Sequence, residues 1–331
     1  MQSEIPKKAR GSAASRYRSS LPGQRPHEDM NAVMPNALRS RPARWRACRG
    51  VAFGLVALCV AAAAQARCSR PLQAPVAPIG LGVTVDAGQV GGVYPTVLRE
   101  WAVQQGCELQ FSPVPRARQE LLLENGHADL MIPASRSSRR DAWGDFVPLL
   151  QARPAAISLG GRRLYLSDLD QVLARKELRL AVVRGFDFGE RYREVLAQLR
   201  QAGRLVEEVD AVAVARVLQA GMADLTVMTP TIMWGALQGD DRISPLADQL
   251  RVDALQDFDW SETGVYLSRQ ALAEPDRRHL MQMFRDPRLS QRVWTLTVEA
   301  YAGLPLEGWM RPVPTPPLSA AKPSRRGPSS P

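Results

Sequence analysis

Two stretches of this 331-residue chain echo one another: Leu123-Glu-Asn-Gly126-His-Ala-Asp129-Leu130 and, further on, Leu218-Gln-Ala-Gly221-Met-Ala-Asp224-Leu225. Each reads as the end of a helix, a glycine stop and the start of a strand. Glycine takes the left-handed conformation after a helix without a Cβ penalty, and the apolar residues after each aspartate (Leu130, Met131, Ile132; Leu225, Val227, Met228) are the run expected of a strand buried on both faces. A supersecondary unit used twice needs two places to pack. Asp129 and Asp224 fall at the same helix-to-strand junction in both copies, which points to a turn role rather than to ligand binding.

The segments around the echo alternate in the same way. Leu81–Val85 reads as a strand, followed by a loop with Gly88, Gly91 and Gly92. Pro95 suits a first helical turn, Val97, Leu98, Trp101 and Ala102 share one helical face, and Gly106 suits the position after the helix. Cys107–Phe111 alternates as the next strand, which completes a βαβ opening. A second α/β lobe begins at the strand Leu178–Val183, whose loop Arg184-Gly185-Phe186-Asp187-Phe188-Gly189 leads into a helix bearing Tyr192, Val195, Leu196 and Leu199. From about residue 306 the chain is rich in Pro, Ser and Ala with little apolar content, so 306–331 is expected to be a disordered tail.

The amino-terminal region sets the compartment. Arg39, Arg41, Arg44, Arg46 and Arg49 run into the charge-free apolar segment 51–64, followed by Ala64-Gln65-Ala66, a small-x-small cleavage site. Residues 1–66 therefore read as a leader carrying a secretory signal peptide, with Met30 or Met34 as alternative starts to Met1. The apolar run is shorter than the roughly 20 residues that span a bilayer as a helix. The leader holds 11 of the 43 Lys and Arg and 3 of the 33 Asp and Glu, which leaves the mature chain with 32 basic and 30 acidic residues and no bulk charge excess for phosphates. A nucleic-acid partner is therefore disfavoured and a monomer is expected. Cys48 and Cys59 leave with the leader. Cys68 and Cys107 remain, an even number in an oxidising compartment, and are expected to form a disulfide.

Four segments resemble the type II periplasmic solute-binding proteins that serve amino-acid ABC transporters (the bacterial extracellular solute-binding protein family 3): Gly91-Gly-Val-Tyr-Pro95; Pro115-Arg-Ala-Arg118 through Gly126-His-Ala-Asp-Leu130; Arg140-Asp-Ala-Trp-Gly-Asp-Phe146-Val-Pro148; and Ser167-Asp-Leu169 with Val183-Arg-Gly185. The resemblance covers roughly residues 75–303. It implies an α/β, two-lobed clamp with a discontinuous first lobe (67–160 and 258–305) and a continuous second lobe (161–257), joined by two crossing strands near 158–163 and 256–263. It also implies periplasmic binding of a small solute, an amino acid or organic acid, by hinge closure, with delivery to ABC transporter membrane subunits or to a receptor. The alternative it leaves is a secreted dehydratase- or lyase-like enzyme in the inter-lobe cleft.

In the position of that family's ligand-carboxylate arginine stands Arg140, six before Phe146, with Arg136 and Arg139 as neighbours able to take the role. A guanidinium suits the task because its planar, always-charged fork matches a carboxylate bidentately. In the second lobe, Gly185–Gly189 before a helix offers backbone N–H groups and a positive helix end to an anion, and Asp187 lies within it. Tyr94, Trp143 and Phe186 fall in loops that the fold places at the cleft. One departure concerns the ligand: the family's ammonium-binding acid has its counterpart here in Thr229, so either another acid, such as Asp187 or Glu262, serves, or the ligand is not a standard amino acid. His127 and His279 lack partners at metal or nucleophile spacing, so no metal, cofactor or catalytic residue is expected.

Overall fold

The computed structural model describes residues 68–160 and 164–314. Residues 1–67, on which the expected leader and signal peptide fall, and residues 315–331 lie outside the described residues. Lobe 1 opens with β1 (Leu72–Val76), the hairpin β2 (Thr84–Asp86) and β3 (Gln89–Gly91), helix α1 (Val93–Gln104), β4 (Leu109–Pro113), α2 (Arg116–Glu124), β5 (Leu130–Ser135), the single turn α3 (Ser138–Asp141) and β6 (Gly144–Ala152). Lobe 2 holds β7 (Ala155–Leu159), α4 (Leu169–Ala174), β8 (Leu180–Val183), α5 (Glu190–Gln201), β9 (Leu205–Glu208), α6 (Ala211–Gln219), β10 (Leu225–Met228), α7 (Pro230–Gln238), a 3-10 turn at Ser244–Gln249 and β11 (Leu250–Ala254). The chain returns to lobe 1 as β12 (Ser261–Ser268), α8 (Glu274–Phe284), α9 (Pro287–Ala300) and β13 (Met310–Pro312).

The lobe 2 sheet runs β11-β7-β10-β8-β9, with β10, β8 and β9 parallel and β7 antiparallel to both its neighbours. Its strands alternate between two cores: Ala181 and Val183 face α6 and α7, while Leu180 and Val182 face the side built by α4 and α5. Helices on both faces account for the unbroken apolar runs seen in the sequence. Lobe 1 pairs β1 parallel with β4, and packs the antiparallel set β13-β6-β12-β5 beside them. A backbone bond from Asp129 N–H to Gln73 O at 2.9 Å joins β1 to the entrance of β5.

The two echoed segments have the same geometry. Gly126 and Gly221 both sit at φ +68°, the region L side chains avoid. In each copy the aspartate clips the neighbouring strand at two points: Asp129 accepts from Gln73 N–H at 2.7 Å and Asp224 from Arg179 N–H at 2.7 Å, while the backbone N–H of each donates to the same neighbour's carbonyl at 2.9 Å. Asp129 also takes the guanidinium of Arg70 at 2.6 Å to each oxygen.

Three expectations need correction. The first strand is Leu72–Val76 rather than 81–85. Prolines 71, 75 and 78 mask it in sequence, yet Leu72, Ala74 and Val76 are fully buried. Thr84–Asp86 makes only the short hairpin. The first crossing between lobes falls at residues 153–154, before Ala155, because β7 is apolar and pairs within lobe 2; the return crossing is 255–260, beside Ser261. Finally, the stretch from 306 is ordered as far as residue 314: Leu306–Gly308 forms a 3-10 turn, and Met310–Pro312 adds a strand to the edge of β6. Leu306 and Met310 are buried, which supplies the apolar anchor that the composition of the segment concealed.

Cys68 and Cys107 are joined, with Cα atoms 4.9 Å apart across 39 residues of chain. The bond ties the entry to β1 to the loop before β4, the pair of parallel strands that opens lobe 1. Closing a loop of that size removes about 4 kcal/mol of unfolded-state freedom. Mature protein is expected to show no reactive thiol in denaturant without reductant, and Cys107→Ser or reduction is expected to lower the unfolding free energy by about 2–4 kcal/mol in a urea titration.

Candidate functional site

The site is built around one turn. Ser137 caps the single-turn α3, its Oγ accepting from Arg140 N–H at 3.3 Å. From β12 the buried Tyr266 hydroxyl accepts from Ser137 N–H at 3.0 Å and donates to Asp141 Oδ1 at 2.9 Å. Burial pushes that hydroxyl above the ordinary tyrosine range, so Tyr266 stays a neutral donor. The turn held in this way directs Arg140, whose side chain is fully buried. Its Nη1 donates to Ser135 O at 3.0 Å, and its Nε and Nη2 reach the two oxygens of Glu120 on α2 at 3.3 and 3.5 Å. Its Nη2 also donates across the cleft to Gly185 O in lobe 2 at 3.3 Å.

A second guanidinium stands beside it. Arg116, the first residue of α2, is 5% exposed. Its Nη1 donates to Pro133 O and to Gln119 Oε1, both at 2.8 Å, and its Nε is buried without a hydrogen-bond partner. Burial and then the charge of Arg140 push Arg116 down to about 9, with Glu120 opposing. A base whose folded-state value lies below its unfolded one is penalised for being charged at pH below that value, and the penalty is relieved as pH rises through it. With Arg139 and Arg140 both paired to the single carboxylate of Glu120 and Arg116 beside them, this side of the cleft carries a positive charge that its contacting carboxylate does not fully balance. Arg139, half-exposed, shares Glu120 and lies 5.5 Å from the Trp143 ring.

The lobe 2 wall differs from its sequence reading. Within the loop 185–189, Phe186 N–H is bound to Val183 O at 3.1 Å and Gly189 N–H to Asp187 Oδ1 at 3.0 Å. The carboxylate of Asp187, which also binds Arg193 Nη1 at 2.8 and 3.0 Å, already occupies the entrance of α5. The anion at this helix end is the protein's own, so the loop does not offer the open N–H cradle that its glycines suggest. Gly185 serves another purpose. At φ +89° it turns the chain so closely against α2 that a Cβ would lie 2.9 Å from Ala117 N.

Between the lobes these elements line a cleft. Of the residues singled out in the sequence, Tyr94, Arg140, Phe186 and Asp187 line it and Gly185 closes its rim through the Arg140 contact. Trp143 does not; it packs with Leu123, Met131, Ala134 and Tyr266 in a small cluster behind the turn. Thr229, 6% exposed, lines the lobe 2 side. Glu262 pairs with Arg136 at 3.5 Å, both on the half-exposed rim. Sequence reasoning missed Arg116, although it opens one of the quoted motifs, because a basic residue at a helix start usually faces solvent. It also missed Phe188, Ile232 and Met310, apolar residues whose place at the cleft follows from tertiary packing alone. Met310 belongs to the segment expected to be disordered, and its sulfur accepts from Thr231 Oγ1 of lobe 2 at 3.2 Å. Cys68, Cys107 and His279 lie within 4.8 Å of one another, but the two sulfurs are bonded together, which removes the thiolates a metal would need.

No family model matches the chain, and no curated protein matches it. Solved structures do. An ancestral arginine-binding protein bound to arginine is 17% identical with a TM-score of 0.53, covering 70% of this chain and 98% of that one. An amino-acid ABC transporter substrate-binding protein from Streptococcus pneumoniae bound to L-arginine is 16% identical with a TM-score of 0.54, covering 70% and 94%. A histidine kinase sensor domain with similarity to periplasmic binding proteins is 16% identical with a TM-score of 0.55, covering 71% and 97%. At these identities the likeness is one of fold: the protein has the two-lobed α/β fold of periplasmic binding proteins. No helix among the described residues is long and apolar enough to cross a membrane.

Glu120 pairs with both Arg139 and Arg140, and its charge favours the charged form of Arg116. Glu120→Gln is expected to destabilise the fold by about 3–5 kcal/mol, the usual cost of leaving a buried charge unpaired. Chemical denaturation measures it, and a loss under about 1 kcal/mol would show that the arginines do not depend on this carboxylate.

Proposed function

We propose that this protein is an exported solute-binding protein that takes a small carboxylate-bearing ligand between its lobes, closes on it, and delivers it to an ABC transporter or presents it to a receptor. The observation that carries this reading is the buried guanidinium pair Arg116 and Arg140 on a cleft lined from both lobes, with Glu120 as their shared counter-charge. Buried cations without full compensation are costly, and a carboxylate is the planar, bidentate partner for which a guanidinium fork is shaped. Binding rather than catalysis is favoured because the carboxylates at the site, Glu120 and Asp187, are each engaged by arginines. The similar structures bound to arginine and the sensor domain support both destinations, a transporter and a receptor.

Hinge closure suits the connections. The lobes are joined at 153–154 and at 255–260, and the Arg153 side chain ties the two links together through Phe258 O at 2.9 Å. A few backbone dihedrals there absorb the motion, while contacts from both lobes favour the closed form.

A thermal-shift screen of mature protein against carboxylates and amino acids is expected to find ligands that raise the melting temperature, since a ligand bound only by the folded state stabilises it. Arg140→Ala is expected to weaken such a ligand by about 2–5 kcal/mol in calorimetry, and unchanged affinity in a folded variant would move the carboxylate elsewhere. In small-angle scattering, saturating ligand is expected to reduce the radius of gyration; an unaltered radius would count against a clamp and favour a preformed pocket.

A further inference from the structure

The cleft's charges are uneven in kind as well as in number. The charged residues that line it are Arg116, Arg140 and Asp187. Asp187 is committed: both its oxygens contact Arg193, and one also holds Gly189 N–H. Thr229 on the opposite wall is buried and uncharged. Among the described residues lining the cleft, none therefore presents an unengaged carboxylate to a cation. The guanidiniums lie side by side, because they donate to the carbonyls of Pro133 and Ser135, alternate residues of β5 whose carbonyls point the same way about 7 Å apart. The Nε of Arg116 keeps a buried donor without a partner. Much of the remaining wall is apolar: Ile79, Tyr94, Phe186, Phe188, Ile232 and Met310.

We infer that the cleft selects an organic monocarboxylate with an apolar body, aromatic or branched aliphatic, and no ammonium beside the carboxylate, and that Arg116 joins Arg140 in holding that group. The inference rests on the reading of the cleft as a carboxylate site and narrows its ligand. An α-amino acid places its ammonium on the carbon next to the carboxylate, so the cation is brought close to two guanidiniums and finds hydroxyl-bearing residues and an Asp187 already engaged by Arg193, rather than an unengaged carboxylate. Burying it without a counter-charge is costly, and like charges close by raise that cost. A simple carboxylate brings one negative charge to a site with a positive excess, supplies the acceptor that Arg116 Nε lacks, and covers the aromatic and aliphatic wall with matching surface.

Matched pairs test this directly. Calorimetry on mature protein compares 3-phenylpropanoate with L-phenylalanine and 4-methylpentanoate with L-leucine, each pair differing only in the ammonium, with 3-phenylpropan-1-ol as the partner lacking a carboxylate. The acid of at least one pair is expected to bind about 100-fold or more tightly than its amino acid, and the alcohol to bind far more weakly than the acid. An amino acid that matches or exceeds its acid overturns the inference and leaves the carboxylate reading standing. An alcohol that binds as well as the acid removes that reading, and the inference with it. If neither acid binds while another carboxylate does in the wider screen, the apolar-body inference fails alone. Arg116→Gln is expected to weaken the acid about 10–100-fold with the fold retained by circular dichroism, and unchanged affinity would exclude Arg116 from the site. Should that variant not fold, Thr229→Asp decides: a carboxylate on the cleft wall is expected to reverse the preference toward the amino acid, and an unreversed preference overturns the account of selection.

Discussion

Glu120 is the fixed point from which the cleft is organised. Its carboxylate lies on α2, one turn after Arg116, and receives Arg139 and Arg140 from the turn that follows β5. Because Arg140 is wholly buried, its guanidinium has few places to put its five N–H donors: two oxygens of Glu120, the carbonyl of Ser135 and the carbonyl of Gly185 take four of them, which leaves one on Nη1. The last of these belongs to the other lobe. One carboxylate thus orients the residue that bridges the lobes, and the close approach of Gly185 to α2 lets that bridge form. Exposed ion pairs elsewhere on the molecule contribute little by comparison.

The repeated helix-glycine-strand unit explains how such a cleft arises between lobes with different sheets. In both copies an aspartate clips the new strand to its neighbour at the strand's first residues, which sets register at the end far from the cleft. The strands β5 and β10 then run toward the cleft and end there. Ser135 and Pro133 at the end of one supply carbonyls to the arginines; Thr229, directly after the other, lines the facing wall. Ligand sites outside the carboxyl ends of strands are a general property of open α/β sheets, and here the duplicated unit delivers one such end from each side.

The parts legible in the sequence were those governed by local rules. The glycine stops, the strand-helix alternation of lobe 2 and the two-lobed class followed from periodicity and from residues such as Gly126 and Gly221, whose backbone conformation only glycine takes easily. Arg140 was legible through a resemblance supported by guanidinium chemistry. What local rules could not supply was tertiary. Prolines hid β1; β13 was hidden in a proline-rich segment whose few apolar residues, Leu306 and Met310, are the ones that become buried. Arg116 looked like a solvated helix start because nothing in its neighbours signals that α2 points its first turn into a cleft. The loop at Gly185–Gly189 was misleading for the opposite reason: its glycines and helix start suggest an anion cradle, yet Asp187, in plain view within the same loop, is the residue that fills it.

That substitution of an internal carboxylate for a ligand's changes what each lobe contributes. Lobe 2 neutralises its own helix entrance and turns Phe186 and Phe188 toward the cleft, while lobe 1 keeps the unbalanced guanidinium charge. That charge is shut away from bulk water, Arg140 being fully buried and Arg116 nearly so. The aromatic wall beside it keeps the surroundings of low dielectric, where a guanidinium–carboxylate contact is worth several-fold more than in water. The apolar lobe therefore strengthens an electrostatic interaction to which it donates no charge. The same burial beside Arg140 disfavours the charge of Arg116. On the proposed reading, closing the cleft would thus be coupled by sign to what occupies it: an anion would make closure favourable, and a cation beside the arginines would make it less so.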